Sequence, residues 1–326
     1  MRVLVTGSAG YIGSHVVLAL RDSGHAVVAL DDLSAGNRAV VPDDVVFVEA
    51  DVGNGEAVAA LIERHGIEAV MHFAGSIVVP ESVRNPLEYY RNNTVASRSL
   101  IATCVRKGVR HLVFSSTAAV YGIPAHVPIT EDMPTVPINP YGASKLMTEW
   151  MLRDTAVAHD LTYVSLRYFN VAGADPRGRA GQSTRSATHL LKIACEAAAG
   201  HRDHVQVFGS DYDTPDGTCI RDYVHVTDLA DAHVRALDHL AAGAGSLVLN
   251  CGYGRGRSVL EVLAAVERVA GKRLDVRKAP RRPGDPPALV ADAGKLRKTL
   301  AWEPRLDDLD VIVRTALDWE RRLGPK

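Results

Sequence analysis

Tyr141 and Lys145 stand four residues apart in the run NPYGASK, Asn139–Lys145, directly behind a proline. On a helix this spacing brings both side chains to one face, and Pro140 suits a first helical position. A phenol with an ordinary pKa of about 10 is a poor base at neutral pH, but a neighbouring ammonium favours the phenolate and brings it toward working range. Upstream, an apolar run ends in Ser115, Ser116 and Thr117. Their hydroxyls can reach a substrate oxygen and share its proton with the tyrosine. Strand, hydroxyl, tyrosine and lysine, in that order, form a proton-transfer set.

Gly7, Gly10 and Gly13 form GxxGxxG between VLVT and an apolar helical stretch. Glycines there permit a tight turn and let backbone N–H groups approach a pyrophosphate seated on the helix N-terminus. Asp31 closes the next strand, and its carboxylate can accept both hydroxyls of an adenosine ribose. The same charge repels a 2′-phosphate, so NAD rather than NADP is expected, its positive nicotinamide ring adding to the pull on the tyrosine. Asp51 and Val52 end the third strand, where they meet the adenine edge.

The elements that must carry these residues follow a βαβ rhythm. Strands are predicted at Arg2–Thr6, Ala26–Leu30, Val45–Glu49, Ala69–His72, His111–Ser115 and Tyr163–Tyr168. Helices are predicted at Ile12–Ser23, Gly55–His65, Leu87–Lys107 and Pro140–Asp160. The strands read as continuous apolar runs, the mark of a parallel sheet covered on both faces, with ligands at the carboxyl ends of its strands.

From Gly173 the text changes. A polar loop over 174–186 precedes a helix, His189–Ala199, and a short strand, Val205–Phe208. After the loop Gly209–Gly217, the run Asp222–Leu240 has helical periodicity behind a strand-like start. A strand at Leu247–Asn250, a helix at Ser258–Ala270 and a strand at Asp275–Lys278 come next. A rigid basic loop, Ala279–Pro287, and a helix, Leu309–Arg322, complete the chain. The expected division is a nucleotide domain over 1–173, to which 219–248 returns, and a smaller lobe made mainly of 174–326.

With 326 residues the chain suits one large α/β unit with a minor lobe. Its 37 Lys+Arg against 38 Asp+Glu leave a net charge of -1, which excludes a basic footprint for nucleic acid. No apolar stretch is long enough to span a membrane. The N-terminal apolar run passes straight into glycines, so neither a signal nor a transit peptide is expected. Cys104, Cys195, Cys219 and Cys251 form no CxxC pair, and a reducing cytoplasm is the expected compartment. The histidines form no HExxH-like cluster, and no metal is expected.

The glycine spacing and the Tyr-Lys pair together resemble the extended short-chain dehydrogenase/reductase family, and within it the 4-epimerases of UDP-hexoses. Further runs similar to that group are HFAG (His72–Gly75), ESVRNPLEYYRNN (Glu81–Asn93), SSTAAVYG (Ser115–Gly122) and LRYFNVAGAD (Leu166–Asp175). The second half adds DGTCIRDYVHVTDLADAH (Asp216–His233) and RRPGD (Arg281–Asp285). The resemblance implies a Rossmann-type doubly wound parallel sheet with a smaller interleaved C-terminal α/β substrate lobe. It assigns catalysis to Thr117, Tyr141 and Lys145, which remove a hydroxyl proton while hydride leaves the same carbon for a tightly held NAD. It implies cofactor contacts at Gly7, Gly10, Tyr11, Ile12, Gly13, Asp31, Asp32, Asp51, Val52, Phe73, Ala74, Gly75, Asn92, Ser115 and Tyr168, besides the catalytic pair.

For the substrate, the resemblance has Asn170 bind the sugar diphosphate while Arg221 and Arg282 clamp its phosphates; arginines are natural bidentate partners for such oxygens. Asp285 would hold the uridine ribose, Phe208 would lie near uracil, and Phe169 and Tyr168 would line the sugar pocket, with His189, Leu190, Gln206 and Leu289 completing the contacts. The implied reaction interconverts UDP-glucose and UDP-galactose through a 4-keto sugar that turns over in the site. The implied assembly is a homodimer through a four-helix bundle made from Leu87–Lys107 and Pro140–Asp160 of each subunit.

Three positions depart from the group's pattern. Ile77 falls where many members carry a lysine near the phosphate. His189 replaces an asparagine that touches the diphosphate, and it retains one donor. Leu289 stands where a bulky tyrosine excludes N-acetyl sugars, so UDP-N-acetylhexosamines join UDP-pentoses and UDP-uronates as alternative substrates. A 4,6-dehydratase needs an acid and a base after the threonine, and Ala118-Ala119 supplies neither. A dehydrogenase releasing NADH in each cycle and a non-catalytic nucleotide-binding protein are the remaining alternatives; retention of Tyr141 and Lys145 argues against the second.

Overall fold

The structure, a computed structural model, describes residues 1–184, 188–282 and 284–324. Its first half contains β1 (Arg2–Thr6), α1 (Tyr11–Asp22), β2 (Ala26–Asp31), β3 (Val46–Glu49), α2 (Gly55–His65) and β4 (Ala69–His72). Then come α3 (Val79–Arg84), α4 (Pro86–Tyr89), a π turn (Tyr90–Val95), α5 (Ala96–Arg106), β5 (His111–Ser115), α6 (Pro140–Ala158) and β6 (Thr162–Tyr168). The second half has β7 (Asn170–Ala172), α7 (Leu190–Ala199), β8 (Val205–Phe208), β9 (Ile220–His225), α8 (Val226–Ala241) and β10 (Leu247–Cys251). It closes with β11 (Gly256–Ser258), α9 (Val259–Ala270), β12 (Val276–Ala279), β13 (Ala288–Leu289), α10 (Gly294–Leu300) and α11 (Leu309–Leu323).

Among the described residues, seven parallel strands form one sheet in the order β10-β6-β5-β4-β1-β2-β3. Successive residues of the inner strands point to opposite faces, and both faces are apolar. Val3, Val5, Ala69, Met71 and Val113 pack with α1 and α8, whereas Leu4, Val70, Leu112 and Phe114 pack with α2 and α5. Burial on both sides explains why these strands read as unbroken apolar runs. The strand order reverses between β1 and β4, which opens a crevice at their carboxyl ends.

The second half builds smaller sheets. Strand β9 pairs with β7, β11 and β13, and β8 pairs in parallel with β12. Within 219–248, α8 covers the large sheet while β9 belongs to the small one. One carboxylate joins these parts: Asp228 of α8 accepts from the Tyr253 hydroxyl at 2.6 Å, the Leu306 N–H at 2.9 Å and the Arg305 N–H at 3.1 Å.

The predicted single helix over Leu87–Lys107 is interrupted by the π turn at Tyr90–Val95. A helical pattern carries no sign of a locally widened hydrogen-bond register, and such turns gather at functional sites. Elements of two to seven residues, including β7, β11, β13, α3 and α10, also lie outside the predicted set. Part of the predicted loop over 174–186 lies outside the described residues.

Replacing Asp228 by alanine strands a buried hydroxyl and two backbone donors. D228A should lower unfolding free energy by about 3 kcal/mol, as read from urea denaturation.

Candidate active site

The glycine loop is shaped by contact. Gly7 has φ +69, and a Cβ there would lie 2.5 Å from the Ala74 nitrogen. A Cβ on Gly13 would lie 2.1 Å from the Gly7 carbonyl oxygen, so β1, α1 and the turn after β4 meet backbone to backbone. Gly10 caps α1 without a side-chain acceptor, which leaves first-turn N–H groups facing the crevice beside Tyr11 and Ile12. Asp31, buried at the end of β2, accepts from the Ala9 and Leu33 N–H groups, both at 2.9 Å. Burial raises its pKa. Asp32 turns outward onto Ser34, and Asp51 accepts from the Gly53 N–H at 2.7 Å beside buried Val52.

The turn after β4 carries Phe73, Ala74 and Gly75. Phe73 packs on His233 of α8 at 4.8 Å between ring centroids, and Tyr168 meets the same imidazole at 6.2 Å. Gly75 approaches the π turn so closely that a Cβ would stand 2.9 Å from the Asn93 side-chain oxygen and 3.8 Å from the Lys145 ammonium. Asn93 grips this turn at both ends of one residue, accepting from the Ser76 N–H at 2.7 Å and donating to its carbonyl at 3.0 Å. It also donates to the Ser144 hydroxyl at 3.0 Å, and Ser144 donates to the Tyr141 carbonyl at 2.7 Å. Asn92 donates to the Ser76 hydroxyl at 3.1 Å.

Helix α6 starts cleanly: Asn139 accepts from the Gly142 N–H at 2.9 Å, with Pro140 at the first position. Its first turns bury Tyr141 and Lys145. The lysine donates to the Ser115 carbonyl at 3.0 Å, and its ammonium stands 5.1 Å from the Phe114 ring centroid. Burial lowers its pKa to about 8. The Tyr141 phenol is raised by burial, opposed by its hydrogen bond with Thr117. Desolvation, which residue spacing does not report, is the largest influence on the phenol. Ser115 bonds through its hydroxyl to Tyr168.

Asn170 opens β7 directly after Tyr168 and Phe169. In the second lobe, Arg221 on β9 is paired with Asp285, and the Arg282 guanidinium lies 3.9 Å from the Phe208 ring centroid. Leu289 on β13 stands in register with Arg221. Gln206 shares the outward face of β8 with Phe208. His189 and Leu190 begin α7; the imidazole Nδ1 lies 2.9 Å from the Gln182 amide nitrogen, and burial lowers its pKa. Ile77 is exposed.

The structure thus gathers the glycine loop, the Phe73–Gly75 turn, Asn92, Ser115, Thr117, Tyr141, Lys145 and Tyr168 at the carboxyl ends of the sheet. Arg221, Asp285 and Leu289 form a second cluster, and Arg282 with Phe208 a third. Sequence reasoning missed Asn93, His233, Glu149 and Arg167. Glu149 carried a signal as the next member of the helical series Tyr141, Lys145, and Asn93, Arg167 and His233 lie inside runs quoted for the resemblance. Among the described residues no group of three metal-ligating side chains occurs, and no helix is long and apolar enough to cross a membrane.

The profile of the NAD-dependent epimerase/dehydratase family matches residues 3–252. A UDP-glucose 4-epimerase of Azospirillum brasilense is 63% identical over 322 residues, 99% of this chain and 92% of that protein. The UDP-glucose 4-epimerase of Brucella ovis, solved with NAD, superposes with a TM-score of 0.95 at 46% identity over 98% of each chain. The UDP-Glc/GlcNAc 4-epimerase of Campylobacter jejuni is 47% identical, with a TM-score of 0.86 over 98% of this chain and 99% of that one.

A lysine whose pKa is depressed in the fold weakens it most while charged. Lys145 should relieve that cost as pH rises from about 8 to its ordinary 10.5, where the unfolded chain binds more protons. The stability of K145M relative to the parent protein should accordingly fall across this window in urea unfolding at stepped pH; a flat difference contradicts the burial argument. The glycine loop, the buried Tyr141–Lys145 stripe and these likenesses together place the chain in the NAD-dependent epimerase/dehydratase family, among the UDP-glucose 4-epimerases.

Proposed function

We propose that this protein interconverts UDP-glucose and UDP-galactose by inverting C4′ of the hexose. The observation that carries the reading is the convergence of Thr117, Tyr141 and Lys145 beside the Gly7–Gly13 cradle. The cradle fits NAD: at Gly7 and Gly13 the chain packs backbone to backbone, the tight turn a pyrophosphate loop needs, and buried Asp31 stands at the ribose position of a dinucleotide. Gly7, Gly10, Gly13, Tyr11, Ile12, Asp31 and the Phe73–Gly75 turn would hold the cofactor, with Asp51 and Val52 toward its adenine. Bound there, NAD supplies a reversible hydride acceptor for C4′.

Tyr141 takes the 4′-hydroxyl proton and later returns it, while the Thr117 hydroxyl aligns the sugar oxygen. Lys145, donating to the Ser115 carbonyl, holds its charge beside the phenol. Net redox is zero, so the cofactor stays bound through turnovers. Arg221, Arg282 and Asn170, with a donor from His189, grip the diphosphate, and Asp285, Phe208 and Gln206 surround the uridine. Binding free energy is thereby placed on the remote nucleotide, which leaves the 4-keto hexose free to turn over about its phosphate linkage. A second reading, UDP-N-acetylhexosamine epimerisation, is favoured by Leu289, which is smaller than the tyrosine that excludes N-acetyl groups, and by the Campylobacter likeness.

We place the enzyme in the cytoplasm, in keeping with four free cysteines. We also propose a homodimer: Leu87 of α4 is 81% exposed and Val157 of α6 87%, and Val95 of the π turn and Trp150 of α6 add exposed apolar surface. Sedimentation should give twice the monomer mass, and L87D/V157D should give one; a monomeric parent protein refutes this assembly.

UDP-galactose should be converted without added NAD, and Y141F should lower kcat by about 10³-fold. The parent enzyme should also turn over UDP-N-acetylgalactosamine, and L289Y should slow that substrate by about 10-fold or more while sparing UDP-galactose. No conversion of either substrate by protein that releases NAD on denaturation sinks the hexose assignment and points to UDP-pentoses and uronates.

A further inference from the structure

The stripe Tyr141, Lys145 of α6 has a third buried member, Glu149, to which no role in the reaction has been given. Its carboxylate faces Arg167 of β6: Nε donates to Oε1 at 3.0 Å and Nη2 to Oε2 at 2.6 Å. The side chains are 8% and 5% exposed, which makes this a dry, forked ion pair behind the proton-transfer set. Such a pair adds little net stability over apolar residues of the same volume, but it fixes geometry in two directions.

What it fixes is the segment that carries Thr117. The Ser116 hydroxyl donates to Glu149, and its N–H donates to the Leu166 carbonyl at 2.9 Å. On the other side, the Tyr121 hydroxyl accepts from Arg167 Nη1 at 2.9 Å and donates to Asn250 at 2.7 Å. The Arg167 guanidinium also lies 5.0 Å from the Tyr121 ring centroid. Thr117 is thus held between two residues tied to one ion pair. Its Oγ accepts from the Ala119 N–H at 3.2 Å, and the same side chain is the hydrogen-bond partner that opposes the rise of the Tyr141 phenol.

We infer that Glu149 and Arg167 are positioning residues, acting through Ser116 to set the Thr117 hydroxyl against Tyr141. This rests on the reading of Thr117 and Tyr141 as the reacting pair. Because E149Q leaves a buried guanidinium without its counter-charge and can fail to fold, S116A is the primary variant: it removes the bridge and keeps the ion pair. In the holoenzyme, S116A should keep its retained NAD and its KM for UDP-galactose, while kcat falls about 10-fold, or about 1.4 kcal/mol. In a double-mutant cycle the loss should vanish on a T117A background, because Ser116 acts through that hydroxyl. E149Q, if folded, should show the same coupling to Thr117.

Parent-level kcat in S116A overturns the inference, as does an equal loss with and without Thr117, which marks a general structural effect. Y141F separates the two readings. Its inactivity beside a fully active S116A overturns the positioning role alone, whereas activity retained in Y141F overturns the assignment of the reacting pair itself.

Discussion

The burial of the Lys145 ammonium is the constraint around which the site is organised. A charge withdrawn from water carries a solvation cost that only nearby dipoles and rings can offset. The Ser115 carbonyl and the Phe114 face do so in part, yet the pKa still drops to about 8. Tyr141, buried beside it, is displaced upward for the same reason. Both side chains are held where their charged forms are unfavourable. Burial thus brings the lysine toward neutral pH and carries the phenol further from it.

That constraint propagates outward. To keep water from the lysine, the turn after β4 must come close, and Gly75 allows it at φ +153. The turn must also be held there, and the π turn presents Asn93 so that its carboxamide spans Ser76 and Ser144. The same register leaves the Asn93 carbonyl to accept from the Ser97 hydroxyl. Ser97 lies 2.8 Å from His72, whose other nitrogen is 2.7 Å from Thr6, next to the first glycine of the loop. Burial and the nearby Lys145 charge lower the His72 pKa to about 3, so this relay is neutral. Strand β1, strand β4 and helix α6 are coupled by hydrogen bonds that carry no charge into the crevice.

Local patterns made much of this legible. The six strands predicted in the first half and the helices at Gly55–His65 and Pro140–Asp160 coincide closely with β1–β6, α2 and α6, because burial on both faces leaves an unambiguous apolar text. Gly7 and Gly13 were equally visible, since no other residue tolerates those backbone contacts. The π turn was hidden because its cause is tertiary: Asn93 must reach Ser76. Strands β7, β11 and β13 are short and are defined by their partner β9, not by their own residues. The pairing of Arg221 with Asp285 crosses 64 positions, and nothing in the text of either run announces it.

That pairing bears on how the proposed substrate is held. Arg221 is neutralised by Asp285, and Arg282 is spread over Phe208. On the proposed assignment a diphosphate would share or displace these partners, so its net gain would be smaller than two free guanidinium groups would give. On the same assignment Asp285, released or redirected, would become available to ribose hydroxyls, and the exchange of partners would be a recognition step for the uridine end. At the hexose end Thr117 and Tyr141 offer hydroxyls to the sugar on the proposed reading. Strong contacts that rearrange at the nucleotide and weak contacts at the ring meet the two demands of the reaction, because a 4-keto sugar that must present both faces is retained by what it does not need to move.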